Sequence, residues 1–157
     1  MRIYPIRVYA DTSVFGGVFD DEFREASEAF FSQVGEGRFT LVTSVVVRQE
    51  LAPAPAQVRE FFESVAEEVG VSDLSEEAVA LQRAYLAEGV VGVRRAPDAL
   101  HVAIATCGGC PLVVSWNFSH HVHVDKIRAY NAVNALVGYP PIDIRTPAEV
   151  IRHEEEV

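Results

Sequence analysis

Four polar residues stand where the hydrophobic pattern of this chain changes from one element to the next. Asp11 follows the apolar run 6–10, Glu50 sits in a helical stretch after a second such run, Asp98 follows Pro97 at a helix start, and Asn117 follows a third run. Carboxylates gathered at one place repel one another and cost stability unless a cation lies between them. Oxygen donors of this kind suit a hard divalent ion, Mg²⁺ or Mn²⁺. Taken singly, each residue also has an ordinary structural role. Asp11 can cap a turn or helix, Glu50 can face solvent, Asp98 can complement a helix dipole and Asn117 can shape a loop. Separate roles predict four scattered side chains, whereas a site predicts that they converge.

The elements that must position them follow an alternating pattern. Residues 6–10 read as a buried strand, 15–17 as a turn, and Phe23, Ala26, Phe30 and Val34 mark a helix that Gly35 and Gly37 stop. Residues 39–43 read as a second strand, after which Ser44 caps a short helix through Glu50 and Leu51. A helix over 55–65, a short strand over 69–71 and a helix from Ser75 to Gly89 follow. Residues 90–96 form a loop, and Pro97 at the first helical position opens the most apolar helix, to about Cys107. Residues 112–115 are a strand, 125–137 a helix, 142–144 a last strand, and Thr146-Pro147-Ala148-Glu149 caps a terminal helix. Strands alternating with helices imply a mostly parallel sheet with helices on both faces. In such sheets, sites form beyond the carboxyl ends of the strands, where Asp11 and Asn117 fall.

The chain of 157 residues suits one domain, placed at 1–151, followed by an acidic tail at 152–157. No apolar run is long enough to cross a bilayer, and Pro5 and Asp11 interrupt any leader-like core, so the cytoplasm is the expected location. Thirteen basic residues against twenty-three acidic ones give a formal charge of −10. That argues against holding long nucleic acid by general attraction, but not against meeting phosphate through a metal ion. No Gly-rich phosphate loop follows the first strand, which argues against a nucleotide-binding fold.

The segments Val8-Tyr9-Ala10-Asp11-Thr12-Ser13, Val47-Arg48-Gln49-Glu50-Leu51, Pro97-Asp98-Ala99-Leu100-His101 and Val114-Ser115-Trp116-Asn117-Phe118 span nearly the whole chain. In order and separation they resemble PIN-domain proteins, specifically the VapC-like toxin ribonucleases of bacteria and archaea. The resemblance implies an α/β fold, a three-layer α/β/α sandwich around a mostly parallel sheet, with Mg²⁺- or Mn²⁺-dependent hydrolysis of RNA. By position, Asp11, Glu50 and Asp98 would be the metal-binding acids, Asn117 would join them at the rim, and Thr12 or Ser13 would offer a hydroxyl. It also implies a homodimer and an antitoxin partner whose basic or aromatic tail fills the acidic pocket. Such proteins often carry a further acid three residues after the Asn position. Here that residue is His120, with Asp125 as a substitute candidate, which would weaken a second metal site.

Arg94, Arg95, Lys126 and Arg128 are the nearest candidates for phosphate contacts. His120, His121 and His123 read as a polar loop, because two histidines on one face do not complete a zinc site. His101, three residues after Asp98 on the same helical face, is placed to touch the pocket, with a satisfied core histidine as the commoner outcome, and Cys107 and Cys110 read as small apolar residues around a helix stop. The aromatic residues Phe15, Phe19, Phe23, Phe30 and Phe31 are mostly core. The rival to a ribonuclease is a non-catalytic PIN-like binding or scaffold module, which His120 and the −10 charge favour.

Overall fold

Val8, Tyr9 and Ala10 are completely buried, so the first strand has to be covered on both faces and cannot lie at an edge. A computed structural model, which describes residues 4–117 and 123–153, places it accordingly. Strands β1 (Ile6–Ala10), β2 (Phe39–Val42), β3 (Leu112–Val114) and β4 (Asp143–Arg145) form one sheet in the order β2-β1-β3-β4. Every pair is parallel, with Val8 opposite Leu41 on one side and Leu112 on the other. The chain steps from β1 outward to β2, then back past β1 to β3 and on to β4. Right-handed crossovers in opposite directions put helices on opposite faces of the sheet. The reversal falls between β1 and β3, where such sheets open a crevice at their carboxyl ends.

Local signals set the helices. α1 (Thr12–Gly17) is capped by Asp11, α3 (Val45–Leu51) by Ser44 and α5 (Glu76–Ala87) by Ser75, each side chain accepting from a backbone amide of the first turn. α2 (Arg24–Gly35) and α4 (Ala56–Val69) bring Phe30, Phe31, Phe61 and Phe62 together around Phe15 of α1, with ring centroids 4.9–6.2 Å apart. α6 (Ala96–Cys107) buries Ala99 and every residue from His101 to Thr106, as a helix that is apolar nearly all round must. α7 (His123–Val137) follows β3, and α8 (Pro147–Val150) carries a full capping box between Thr146 and Glu149.

Three expectations change. Residues 15–17 are the last turn of α1 rather than a loop, because the Asp11 cap starts a helix at Thr12. Residues 69–71 add no strand to the sheet; Val69 ends α4, and only Ser72 makes an isolated bridge to Ser44. The loop before α6 ends in a 3₁₀ turn, Val93–Arg95, and α6 begins at Ala96, so Pro97 is one residue inside it. Near the C-terminus, Arg152 is tied to α2. Its amide donates to Gln33 Oε1 at 2.9 Å, and Gln33 Nε2 donates to its carbonyl at 2.7 Å. Glu154, Glu155 and Glu156 lie outside the described residues. Among the described residues, no helix is long and apolar enough to cross a membrane.

One close approach bears on the site. Trp116, just after β3, stacks on Phe23 at 4.4 Å, and its indole donates to Ser27 Oγ at 2.9 Å. Both partners press on Gly17, where an added Cβ would stand 2.6 Å from Ser27 Oγ and 2.9 Å from Trp116 Nε1. Gly17→Ala is therefore expected to destabilise the fold by about 1–3 kcal/mol through overpacking. The measurement is the urea midpoint followed by the emission of Trp116, the only tryptophan. An unchanged midpoint would show that the indole is not locked there.

Candidate active site

Asp11 sits one residue beyond β1, with its amide bonded to Val114 of β3 at 3.2 Å, so it lies in the seam where the strand order reverses. Its side chain is buried, and four donors meet it. Ser13 gives its amide at 3.1 Å and its hydroxyl at 2.5 Å to Oδ1. The Ser115 hydroxyl and, more loosely, Asn117 Nδ2 at 3.4 Å reach Oδ2. The Ser13 and Ser115 hydroxyls also accept from the amides of Trp116 and Asn117, both at 2.9 Å, so the segment after β3 is stitched to the one after β1. Asp11 is thus both the helix cap and a candidate site residue, and the two readings coincide.

Glu50 occupies the last turn of α3, yet its carboxylate turns inward. His101 Nε2 lies 2.7 Å from Oε1, and Thr12 Oγ1 donates to the same oxygen. His101 is only 4 % exposed, and its Nδ1 lies 2.6 Å from the Tyr9 hydroxyl, which also meets Ser44 Oγ at 2.8 Å. Asp98, in the first turn of α6, makes a 3.4 Å ion pair with Arg95. It stands close enough to Asp11 for its charge to act there. The Tyr130 hydroxyl is buried, has no partner among the described residues, and feels the charges of Asp98 and Arg95.

The electrostatics of the two acids differ in sign. Burial is the largest influence on Asp11 and pushes its pKa above the usual carboxylate range. The Asp98 charge adds to that rise, while His101, Ser115 and Ser13 oppose it. Burial also acts upward on Glu50, but the hydrogen bonds from His101 and Thr12 and the nearby imidazole outweigh it, so its pKa falls below the ordinary value.

The structure thus brings Asp11, Asp98 and Asn117 together, and His101 and Thr12 draw Glu50 to the same end of the sheet. Among the described residues, no three His, Cys, Asp or Glu side chains already stand in coordinating range of one point. Mg²⁺ does not need such a cage, since it keeps several waters and is held by one or two carboxylates. The donor set fits a hard cation. Asp11 and Asp98 repel each other, no basic side chain among the described residues pairs with Asp11, and the orphaned Tyr130 hydroxyl stands beside Asp98. The remaining candidates are less available. Ser13 and Thr12 spend their hydroxyls on Asp11 and Glu50, Arg95 pairs with Asp98, and Lys126 donates to the Val90 carbonyl at 2.7 Å. Arg94 is exposed next to Arg95, and Asp125 is exposed at the start of α7. His120 and His121 lie outside the described residues, as does the side chain of His123.

Sequence reasoning undervalued His101, Tyr9 and Ser115. The three-residue spacing from Asp98 was the one available signal for His101, while Ser115 and Tyr9 carried none. Cys107 and Cys110 are free thiols whose pKa values burial raises, Cys110 to about 11, so neither is poised for redox chemistry.

The opposite shifts predict opposite stability effects in chelator. An acid with a raised folded-state pKa opposes folding once pH exceeds its unfolded value, whereas one with a lowered pKa adds stability that is lost as pH falls through the folded value. Asp11→Asn, which keeps a capping residue, is expected to raise the urea midpoint at pH 7 and lose that gain toward pH 4. Glu50→Gln is expected to lower the midpoint at pH 7 and to differ less from wild type in acid. Shifts of the same sign at pH 7 would contradict the electrostatic assignment.

No family model matches this sequence, and no curated protein matches it. Solved structures do share its architecture. VapBC2 from Rickettsia felis, bound to a DNA fragment from its promoter, aligns with TM-score 0.57 at 12 % identity over 90 % of this chain and 98 % of that one. FitAcB from Neisseria gonorrhoeae aligns with TM-score 0.56 at 13 % identity over 91 % and 99 %. At such identities the likeness concerns the fold, and the fold is that of the PIN domain, the family its motifs resemble.

Proposed function

We propose that this protein is a Mg²⁺- or Mn²⁺-dependent endoribonuclease of PIN type, the toxin half of a type II toxin–antitoxin pair. The observation that carries the reading is Asp11: a buried carboxylate at the strand reversal, beside Asp98, with no basic partner among the described residues. The PIN-domain fold and the family resemblance of the four motifs support the same conclusion.

In this reading Asp11 and Asp98 hold the cation, with Glu50 as the third acid. When bound, such an ion lowers the pKa of a water molecule and polarises a phosphate. Glu50, its pKa held below the ordinary carboxylate value, would offer the ion Oε2, since Oε1 is already engaged. Asn117 Nδ2 holds Asp11 and lines the rim, and Arg94 reaches out to an incoming phosphate. Arg95 neutralises Asp98 until RNA arrives and then faces the backbone. With a formal charge of −10, RNA binding depends on the cation far more than on surface attraction. An antitoxin with a basic or aromatic tail would neutralise the same acids, and a homodimer in the cytoplasm completes the proposal.

The absence of a preassembled three-acid cluster among the described residues favours a second reading, a PIN-like scaffold without turnover. Thermal melting with Mn²⁺ separates the two. A ribonuclease is stabilised by about 2.7 kcal/mol at a hundredfold excess of the ion over its Kd. Asp98→Asn is expected to abolish that gain and to reduce RNA cleavage to background. A wild-type protein indifferent to Mn²⁺ and inert toward RNA would establish the scaffold.

A further inference from the structure

The two donors that reach Glu50 share one oxygen. His101 Nε2 and Thr12 Oγ1 both meet Oε1, and no donor among the described residues meets Oε2. Behind His101 the chain of contacts continues through Nδ1 to the Tyr9 hydroxyl and on to Ser44 Oγ. Ser44 is itself the cap of α3, the helix that carries Glu50. The path therefore closes a loop, from the start of α3 through β1 and α6 back to the end of α3.

Hydrogen-bond accounting fixes this path at its Glu50 end. An ionised carboxylate only accepts, so Nε2 carries a hydrogen toward Oε1. With Nε2 donating to Glu50, Nδ1 sharing a hydrogen with the Tyr9 hydroxyl, and Tyr9 sharing another with Ser44, each of these buried groups is satisfied. An apolar residue at position 101 would leave the Tyr9 hydroxyl without this partner and remove one donor from Oε1.

We propose that His101 is a positioning residue which, with Thr12, occupies Oε1 of Glu50 and leaves Oε2 as the single oxygen presented to the cation. This rests on the metal-dependent reading above. Its consequence is that Glu50 would hold the ion through Oε2, with Oε1 kept for His101 and Thr12. The side chain is also ordered before the ion arrives, which removes an entropic cost from binding. Partners that orient ligand groups in this way typically contribute ten- to a hundredfold in metal affinity.

The test is a Mn²⁺ titration of the full chain followed by the electron paramagnetic resonance of free Mn²⁺, with circular dichroism to verify folding. His101→Leu is expected to weaken binding about tenfold or more. His101→Gln, whose amide can replace the Nε2 donor, is expected to recover most of that loss, and Tyr9→Phe to give a smaller one. A purely structural role would not be rescued selectively by Gln. A folded His101→Leu that binds Mn²⁺ as wild type does would overturn the inference while leaving the metal site intact. Should that variant not fold, unchanged affinity in both Thr12→Val and Tyr9→Phe would overturn it equally. A wild type that binds no Mn²⁺, or an Asp98→Asn variant that binds as well as wild type, would bring down the ribonuclease reading and this inference together.

Discussion

A buried aspartate in the seam between two parallel strands is the constraint to which the rest of this site answers. Asp11 is 2 % exposed, and its hydrogen bonds come from hydroxyls and amides, with the His101 imidazole acting on it only through space. Hydrogen bonds stabilise such a charge but do not neutralise it, and Asp98 nearby makes the position worse. The fold tolerates this because the position also caps α1, so the backbone gains a helix start from the same carboxylate. A strained electrostatic position and a good structural cap are one residue.

Glu50 is the counterpart. It stands on a short helix where its side chain had every freedom to face water, yet it is drawn in by His101 and Thr12. The two acids therefore enter the site differently poised, one reluctant to carry charge and one comfortable with it. That separation of environments sets the two carboxyl groups apart in the pH at which each gives up its proton.

Much of this architecture was legible in the sequence. Ser44, Ser75 and Thr146 announced helix starts, and the uniformly apolar α6 announced a buried helix. Asp11 and Asn117 could be assigned to the carboxyl ends of strands because hydrophobic runs end just before them. What escaped was short or depended on distant partners. A six-residue helix with two glycines, α1, reads locally as a turn, and only its cap and the packing of Phe15 against α2 and α4 make it helical. Val69 and Val71 have strand propensity, but Val69 is taken up as the last residue of α4 and Val71 has no ladder partner. His101 looked like any core histidine. Its significance depends on Tyr9 and Glu50, ninety-two residues away and fifty-one away respectively, and no local pattern records such distances.

The pairing of β1 with β3 has a further consequence for biosynthesis. Ser115, which secures Asp11, is 104 residues downstream of it, and β1 lacks one of its two neighbours until that stretch has been made. Parallel pairing over such a span comes late in folding, because loop closure precedes any reward from contacts. A nascent chain on the ribosome therefore carries Asp11 and Glu50 long before the seam that buries the first of them can close. The seam that buries Asp11 is thus withheld until translation is about three-quarters complete, the fraction set by where Ser115 falls in the 157 residues.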